Sequence, residues 1–582
     1  MVIQTPLEKL YHWTAQRPDK TFLRQPYNGE WLHYSWKKAE DEIRRMASYL
    51  RSLNLPPESK IAIISKNCAH WIMSDLAIMM AGHVSVPLYP TIPAELIRYC
   101  LEHCEAKVAF IGKLDTWDKQ RSGLPDNVKG ISYPFWTEEG YENWDDIIAQ
   151  NEPYLENFIP DEKSIGTIIY TSGTTGLPKG VVHSVHAFSY AASWALTQLD
   201  DLTDSERFFS YLPLSHIAER MLVEMGAIYV GGTISFAESL DTFAVNLKDT
   251  KPTVFLAVPR IWTKFQMGIL AKMPPTRLNI LLKIPILNTI IKKKIKEGLG
   301  LEYTKYLLTG AAPMPISALE WFDKIGFTIC EAYAMTENCA YSHLTRRENR
   351  KLGYVGTPMP NCEVRLSEEG EIQVKNESTM LGYLKEPEKT KETITEDGFL
   401  CTGDQGEIDK NGFLKITGRI KDIFKTDKGK YVAPAPIELE LSKNTFIEQV
   451  CVVGANLPQT MALVVLSAEG KEENKDTLEN NLETTLQEVN RILEKHERMK
   501  KVIIMSDEWT VDNNLLTPTL KVKRNILEKA KAPHYEKWYQ DAGLQPVDLY
   551  IVTLSNEAKS KGQKAEGRTY LQNQSTEQFI NN

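Results

Sequence analysis

The sequence predicts an α/β protein: a large N-terminal domain of parallel α/β sheets with a small β-rich subdomain, followed by a small α+β C-terminal domain. Three observations carry this. The chain has 582 residues, too many for one compact core. Short apolar runs alternate with segments of helical periodicity between residue 36 and about 324, as in strands joined by crossover helices. From about residue 355 glycines and charged turns separate short strands, and the texture changes again after Gly418 and Arg419. The expected units are 1–419, with the β-rich part at about 355–418, then 420–545, and a peripheral tail over 546–582.

Apolar positions recur at helical spacing over 36–53, and 60–64 reads as a short buried strand. A helix at 70–81 leads to a strand at 84–87, and a helix at 93–104 to a strand at 106–111. The apolar run 165–170 is a further strand. The alternation resumes with strand 208–211, helix 217–230, strand 233–236, helix 241–249, strand 253–257 and helix 259–272. Strand 306–309 and helix 315–324 continue it. Strands at 362–366, 370–375, 405–409 and 412–416 build the β-rich part. Strands 449–454, 461–468 and 502–505 with helix 476–498 build the last domain. The tail is rich in Asn, Gln, Lys and Ser, with weak apolar periodicity.

A composition of 42% apolar and 25% charged residues is ordinary for a globular enzyme. A net charge of −8 argues against general affinity for nucleic acid or anionic membranes, while leaving room for a local basic patch. The eight cysteines are scattered; Cys100 and Cys104 lie four apart, but no nearby His or Cys pair completes a zinc site. They read as reduced thiols, mostly small buried hydrophobes, in a cytoplasmic protein. The first twenty residues lack the basic start and apolar run of a signal peptide. The most apolar stretch, 278–291, is interrupted by Asn279, Lys283, Pro285 and Asn288, so no membrane span is expected. The wider segment 277–296 mixes a broad apolar face with clustered lysines. It fits either an anionic membrane surface or a helix pair packed on the core with a solvated basic end.

The most informative stretch is 170–180, Tyr-Thr-Ser-Gly-Thr-Thr-Gly-Leu-Pro-Lys-Gly. Gly173, Gly176 and Gly180 let the backbone approach a ligand, and successive N–H groups in such a turn form an anion-binding concavity. Thr171, Ser172, Thr174 and Thr175 add hydroxyls, and Lys179 adds a charge. The chemistry points to phosphate. A Walker loop is excluded because Pro178 precedes the lysine and Gly180 follows it. No G-x-G-x-x-G opens a helix.

The string resembles the signature loop of the adenylate-forming superfamily, which includes acyl-CoA synthetases, luciferases and peptide-synthetase adenylation domains. That resemblance implies ATP, Mg2+ and coenzyme A, with the loop gripping the β- and γ-phosphates and Thr174 near the metal. Further motifs follow in family order. Residues 211–220, Tyr-Leu-Pro-Leu-Ser-His-Ile-Ala-Glu-Arg, and 258–262, Val-Pro-Arg-Ile-Trp, resemble long-chain members, and place His216 beside the carboxylate pocket. Thr309-Gly-Ala-Ala-Pro resembles the segment lining the adenine and acyl pockets, through Gly310, Ala311 and Ala312. In 331–337, Glu-Ala-Tyr-Ala-Met-Thr-Glu, the resemblance assigns Mg2+ to Glu337, the α-phosphate to Thr336 and adenine stacking to Tyr333. The family has Gln, Gly and Gly where this chain has Glu331, Ala332 and Ala334; alanine suits those positions only at negative φ.

Asp404, in Cys-Thr-Gly-Asp, matches the ribose-binding acid, and Arg419 a second ribose contact. Lys421 matches the hinge about which the C-terminal lobe rotates. Lys425, Lys428 and Gly429 fall in a turn resembling the one brought in for the thioester step; it ends in Lys430 where some short-chain members have arginine. Lys521, in 516–524, aligns with the catalytic lysine, with Lys523 and Arg524 as flanking surface charge. The implied reaction is ATP-dependent activation of a medium- to long-chain fatty acid through an acyl-adenylate, then transfer to coenzyme A. Catalysis would rest on Lys521, Glu337, Thr336 and His216. Delivery to a carrier-protein thiol, or a non-catalytic nucleotide- or lipid-binding role, are the alternatives. Peripheral association with the inner face of a membrane, and a homodimer, stay open.

Overall fold

A computed structural model describes residues 2–136, 138–171, 177–511, 513–517 and 521–540. Two large sheets dominate the N-terminal part, one of nine strands and one of eight. Helices at Trp36–Ser52, Ala69–Met80 and Val185–Leu196 are packed between them. Face assignment along single strands shows why their sequences are continuously apolar. In Lys60–Ile64, Ile61 and Ile63 point into the core between the sheets, while Ala62 and Ile64 pack outward against helix Ala94–Cys104. In the other sheet Phe208, Val254 and Leu308 face the shared core, and Phe209, Phe255 and Leu307 face the helices outside. Strands buried on both faces cannot alternate apolar with polar.

Most strand pairs in these sheets are parallel, as expected, but both sheets are mixed. Thr21–Tyr27 pairs antiparallel with Glu30–Ser35, and Ile165–Thr171 pairs antiparallel with Lys179–Ser184. In the second pairing Thr171 and Lys179 are cross-strand partners flanking residues 172–176. The region expected as one helix at 217–230 is broken: Ile217–Glu219 is α-helical, Arg220–Met225 is a π-turn and Gly226–Val230 is α-helical again. Its cause is internal. Arg220 is buried and bonded to Asp75 at 2.5 Å and to Thr167 Oγ1 at 2.6 Å, with Glu224 one turn on at 3.4 Å. A helix carrying three buried polar groups to fixed partners inserts an extra residue into the turn.

The β-rich part is a four-stranded antiparallel sheet of Glu363–Leu366, Glu371–Lys375, Leu400–Ile408 and Leu414–Arg419. The last two strands are longer than the sequence pattern indicates because Asp404 and Arg419 continue the ladder as register partners. The C-terminal lobe has a three-stranded sheet, Ile447–Val453, Thr460–Leu466 and Met499–Ile504, with a separate apolar cluster on each face. Six cysteines are buried and Cys362 and Cys401 half-buried, all as free thiols. No helix among the described residues is long and apolar enough to cross a membrane. The expected tail, 546–582, lies outside the described residues.

Candidate active site

Elements from both lobes converge on one cleft. Strand Ile329–Tyr333 ends at Tyr333, whose hydroxyl donates to Asp404 Oδ2 at 2.8 Å. The Arg419 guanidinium lies 3.4 Å from Asp404 Oδ1 across the ladder. Burial raises the Asp404 pKa, while Arg419, the Tyr333 hydroxyl and Lys521 pull it back. Lys521 arrives from the C-terminal lobe. Its backbone N–H donates to Thr517 Oγ1 at 3.0 Å and its carbonyl accepts from the Thr517 N–H at 2.8 Å, which closes a tight loop. Crowding by protein, and then Arg419, lowers its ammonium pKa, with Asp404 acting the other way. The residue keeps solvent access, which screens part of that shift. The field of Lys521 also reaches His216.

His216 precedes the short helix Ile217–Glu219 and caps it, Nδ1 accepting the Ala218 N–H at 3.2 Å. That bond requires Nδ1 to be unprotonated. Burial, and then Lys521, push the imidazole pKa down to about 4. The ring is therefore neutral with its proton on Nε2, a hydrogen-bond donor without charge. Its neighbours in the motif do different work. Glu219 turns inward, accepting from Ser210 Oγ at 2.9 Å and the Tyr211 N–H at 3.0 Å, and Arg220 bonds to Asp75 and Thr167. These two brace the turn that presents His216.

On the other wall, Thr336 and Glu337 open a single 3-10 turn over Thr336–Asn338. The Glu337 Oε1 accepts the Tyr383 hydroxyl at 2.8 Å. Tyr383 reaches it because Gly382–Tyr383 adds as a strand beside Lys179–Ser184. The same ring lies under the Lys179 ammonium, 5.0 Å from its centroid. Burial, and then Lys389 and Lys421, lower Lys179 to about 8. The carbonyl of Thr336 accepts from buried His183 Nε2 at 2.8 Å, and His183 Nδ1 meets Cys339 Sγ at 3.2 Å. With its pKa lowered to about 4 by burial, His183 is neutral, donating from Nε2 and accepting the thiol proton at Nδ1. Tyr383, His183, Cys339 and Lys389 had no signal in the sequence, since none sits in a periodic or motif context.

Gly310 approaches the Ala332 carbonyl, where an added Cβ would lie 3.0 Å from the oxygen. Ala311 takes a left-handed φ of 65° and, like Ala312, is exposed. Ala332 and Ala334 both keep negative φ, so alanine replaces glycine there without backbone strain. Burial raises the carboxyl of Glu331 to about 7, with the Met314 backbone acting the other way. Lys421 is exposed in the 3-10 turn Ile420–Asp422 between the lobes. Lys425, Lys428 and Gly429 lie in a hairpin whose backbone bonds run to Asn456 and Leu457 of its own lobe. Gly429, at φ 71°, makes that turn. Ser172, Gly173, Thr174, Thr175 and Gly176 lie outside the described residues. One expectation is corrected: Arg524 is not free surface charge. It forms an ion pair with Glu438, donates to the Val452 carbonyl at 2.6 Å and is 13% exposed, anchoring helix Arg524–Gln540 to the lobe.

The donor set suits magnesium. Glu337 offers a hard carboxylate oxygen, bonded to Tyr383 beside strand Lys179–Ser184, and no cluster of three or more potential ligands exists among the described residues. One protein carboxylate, completed by phosphate and water oxygens, is the usual way Mg2+ is held.

Residues 10–384 match the AMP-binding enzyme family and residues 421–542 match the AMP-binding enzyme C-terminal domain. The chain belongs to the AMP-binding enzyme family. Among curated relatives of this AMP-binding enzyme, long-chain-fatty-acid–CoA ligase 5 of Rattus norvegicus is 30% identical over 578 residues, covering 87% of this chain and 83% of the relative. Long-chain-fatty-acid–CoA ligase FadD15 of Mycobacterium tuberculosis is 28% identical, covering 90% and 95%. Of solved structures, the adenylation and carrier didomain of a carboxylic acid reductase from Segniliparus rugosus in complex with AMP superposes with a TM-score of 0.77 at 21% identity, covering 93% of this chain and 82% of that one. The anthranilate CoA ligase AuaEII in complex with anthranoyl-AMP gives 0.75 at 20% identity, covering 92% and 99%. At these identities the structural likeness speaks for the fold.

Proposed function

We propose that this chain is an AMP-forming acid–thiol ligase that activates a medium- to long-chain fatty acid and transfers it to coenzyme A. The observation that carries the reading is that the Lys521 charge of the C-terminal lobe is felt by Asp404 and His216, while Arg419 is ion-paired to the same Asp404. The names of the relatives at 27–30% identity support the substrate class.

A carboxylate is inert to a thiol because its oxygen leaves poorly. In the first half-reaction a carboxylate oxygen attacks the α-phosphorus of ATP, the bond to the β-phosphate oxygen breaks, and pyrophosphate departs. In the second, the thiolate of coenzyme A attacks the acyl carbon and AMP leaves with the electron pair. Neither step needs a nucleophile on the protein, so catalysis is positioning and charge stabilisation. Asp404 and Arg419 would accept from and donate to the ribose hydroxyls, and the Tyr333 ring would stack on adenine. The neutral His216 donates from Nε2 to a carboxylate oxygen without neutralising it as a nucleophile. Lys521 and Lys179 offset charge on the α-phosphate and the leaving pyrophosphate. Glu337 would hold magnesium, oriented by the Tyr383 hydroxyl, and the ion when bound screens the phosphate oxygens.

The test is ATP–pyrophosphate exchange and thioester formation across straight-chain acids of increasing length, with benzoate as a comparison. Long acids should give the highest kcat/KM, with AMP release that depends on coenzyme A. Preference for acetate or benzoate, or AMP release indifferent to coenzyme A, would overturn the assignment.

A further inference from the structure

The helices Pro275–Lys283 and Pro285–Leu299 form a hairpin on the outside of the nine-stranded sheet. Leu278, Leu282, Ile291 and Ile295 anchor one side of it on the apolar cluster that contains Trp262 and Phe322. Among the described residues nothing covers the opposite side. Ile280, Ile284, Ile286 and Ile290 are 58, 44, 76 and 44% exposed, and they sit at the hairpin tip and one turn back along each helix. Lys283 is exposed at that tip, and Arg277, Lys293 and Lys294 are exposed farther back along the two helices. Between Pro275 and Leu299 the chain has six basic residues and one acid, Glu297, in a protein of net charge −8. The bland alternative, a packed helix pair with a solvated basic end, accounts for the lysines but not for four exposed isoleucines at one tip.

We propose that this hairpin docks the protein on an anionic lipid bilayer, the isoleucine tip entering the acyl-chain boundary and the basic side chains behind it meeting headgroup phosphates. An apolar tip with long cationic side chains behind it matches the depth profile of a bilayer surface, because the stems of lysine and arginine cover apolar ground while their charges reach the phosphates. A protein partner would have to supply an apolar socket with an acidic rim; a lipid surface supplies both layers over any area. The inference uses residues outside the catalytic cleft and holds whether or not a fatty acid is the substrate.

Flotation with vesicles of equal parts phosphatidylglycerol and phosphatidylcholine, compared with phosphatidylcholine alone, tests it on the full chain. The wild type should float with the anionic vesicles and lose binding as salt is added. Ile284→Asn/Ile286→Asn should weaken binding by about tenfold or more. Lys283→Gln/Lys293→Gln/Lys294→Gln should remove the preference for anionic lipid. Pyrophosphate exchange with a water-soluble acid verifies that each variant is folded. A wild type that stays in the soluble fraction, or variants that bind like it, would overturn the proposal. So would sedimentation showing a lipid-free dimer that the isoleucine substitutions dissolve, since the tip would then be a contact between two copies.

Discussion

In the proposed reaction lysines 179 and 521 serve the same triphosphate, and their environments differ. Lys179, lowered to about 8 by burial and by Lys389 and Lys421, is charged below that pH and loses its proton above it. The kcat/KM for ATP, which reports the free enzyme, should therefore fall as pH rises through about 8. Pyrophosphate exchange is the assay of choice because it omits the thiol of coenzyme A. Lys179→Arg should move the alkaline limb upward, and a flat profile well past that pH would remove Lys179 from the phosphate site. For Lys521→Ala, adenylation should fall by about a hundredfold or more, as for a lost oxyanion donor. Conversion of supplied acyl-adenylate to thioester should survive; equal loss of both half-reactions in a folded variant would contradict the role given to this lysine.

At the scale of the element, the break at Arg220–Met225 is a prediction about burial. Arg220 faces two carboxylates, Asp75 and Glu224, with no solvent to share the load. Burial, and then the Asp75 charge, hold Glu224 far above the usual carboxylate range, so it is neutral and Arg220–Asp75 is the ion pair. Arg220→Leu should cost about 3–5 kcal/mol in urea unfolding followed on the N-terminal lobe, since it strands a buried charge. Glu224→Gln should cost less than about 1 kcal/mol, because it replaces one neutral polar group by another of like shape. Equal losses for the two would show Glu224 to be ionised. The sequence could not reveal this turn. Its apolar periodicity over 217–230 is continuous, and only the partners at 75 and 167, distant in the chain, force the extra residue.

The same limit explains what was legible elsewhere. Strands at 60–64, 233–236 and 306–309 and the helix at 259–272 fall where the pattern places them, because burial on both strand faces and a proline at the helix start are local signals. The hairpin of 21–35 and the antiparallel strands 179–184 and 382–383 were missed, because their pairing depends on partners that periodicity does not encode. Within the site, Glu337, Asp404, Arg419 and Lys521 could be named from motifs. Tyr383 could not, since its placement under Lys179 follows from a strand addition some two hundred residues later in the chain.

Across the whole molecule, the two lobes are joined by more than the chain. Arg260, at the start of helix Pro259–Lys272, forms an ion pair with Glu448 of the C-terminal sheet. Both side chains remain over a third exposed, so the pair contributes at most about 1 kcal/mol. Glu448→Ala should slow adenylation by up to about fivefold while leaving thioester formation from supplied acyl-adenylate unchanged or faster. An unchanged ratio of the two half-reactions would separate the pair from lobe placement. Arg419 and Lys421 have a mechanical consequence. Arg419 is a ladder partner of Asp404, and Lys421 follows two residues later. For a rigid body turning about Lys421, displacement grows with radius. Were Lys421 the hinge that the family resemblance implies, Arg419 and its ladder partner Asp404 would move little, and the parts of the C-terminal lobe at larger radius would travel farther. A pivot set there would let one lobe exchange the groups it offers to the reaction while the ladder kept its hold on AMP.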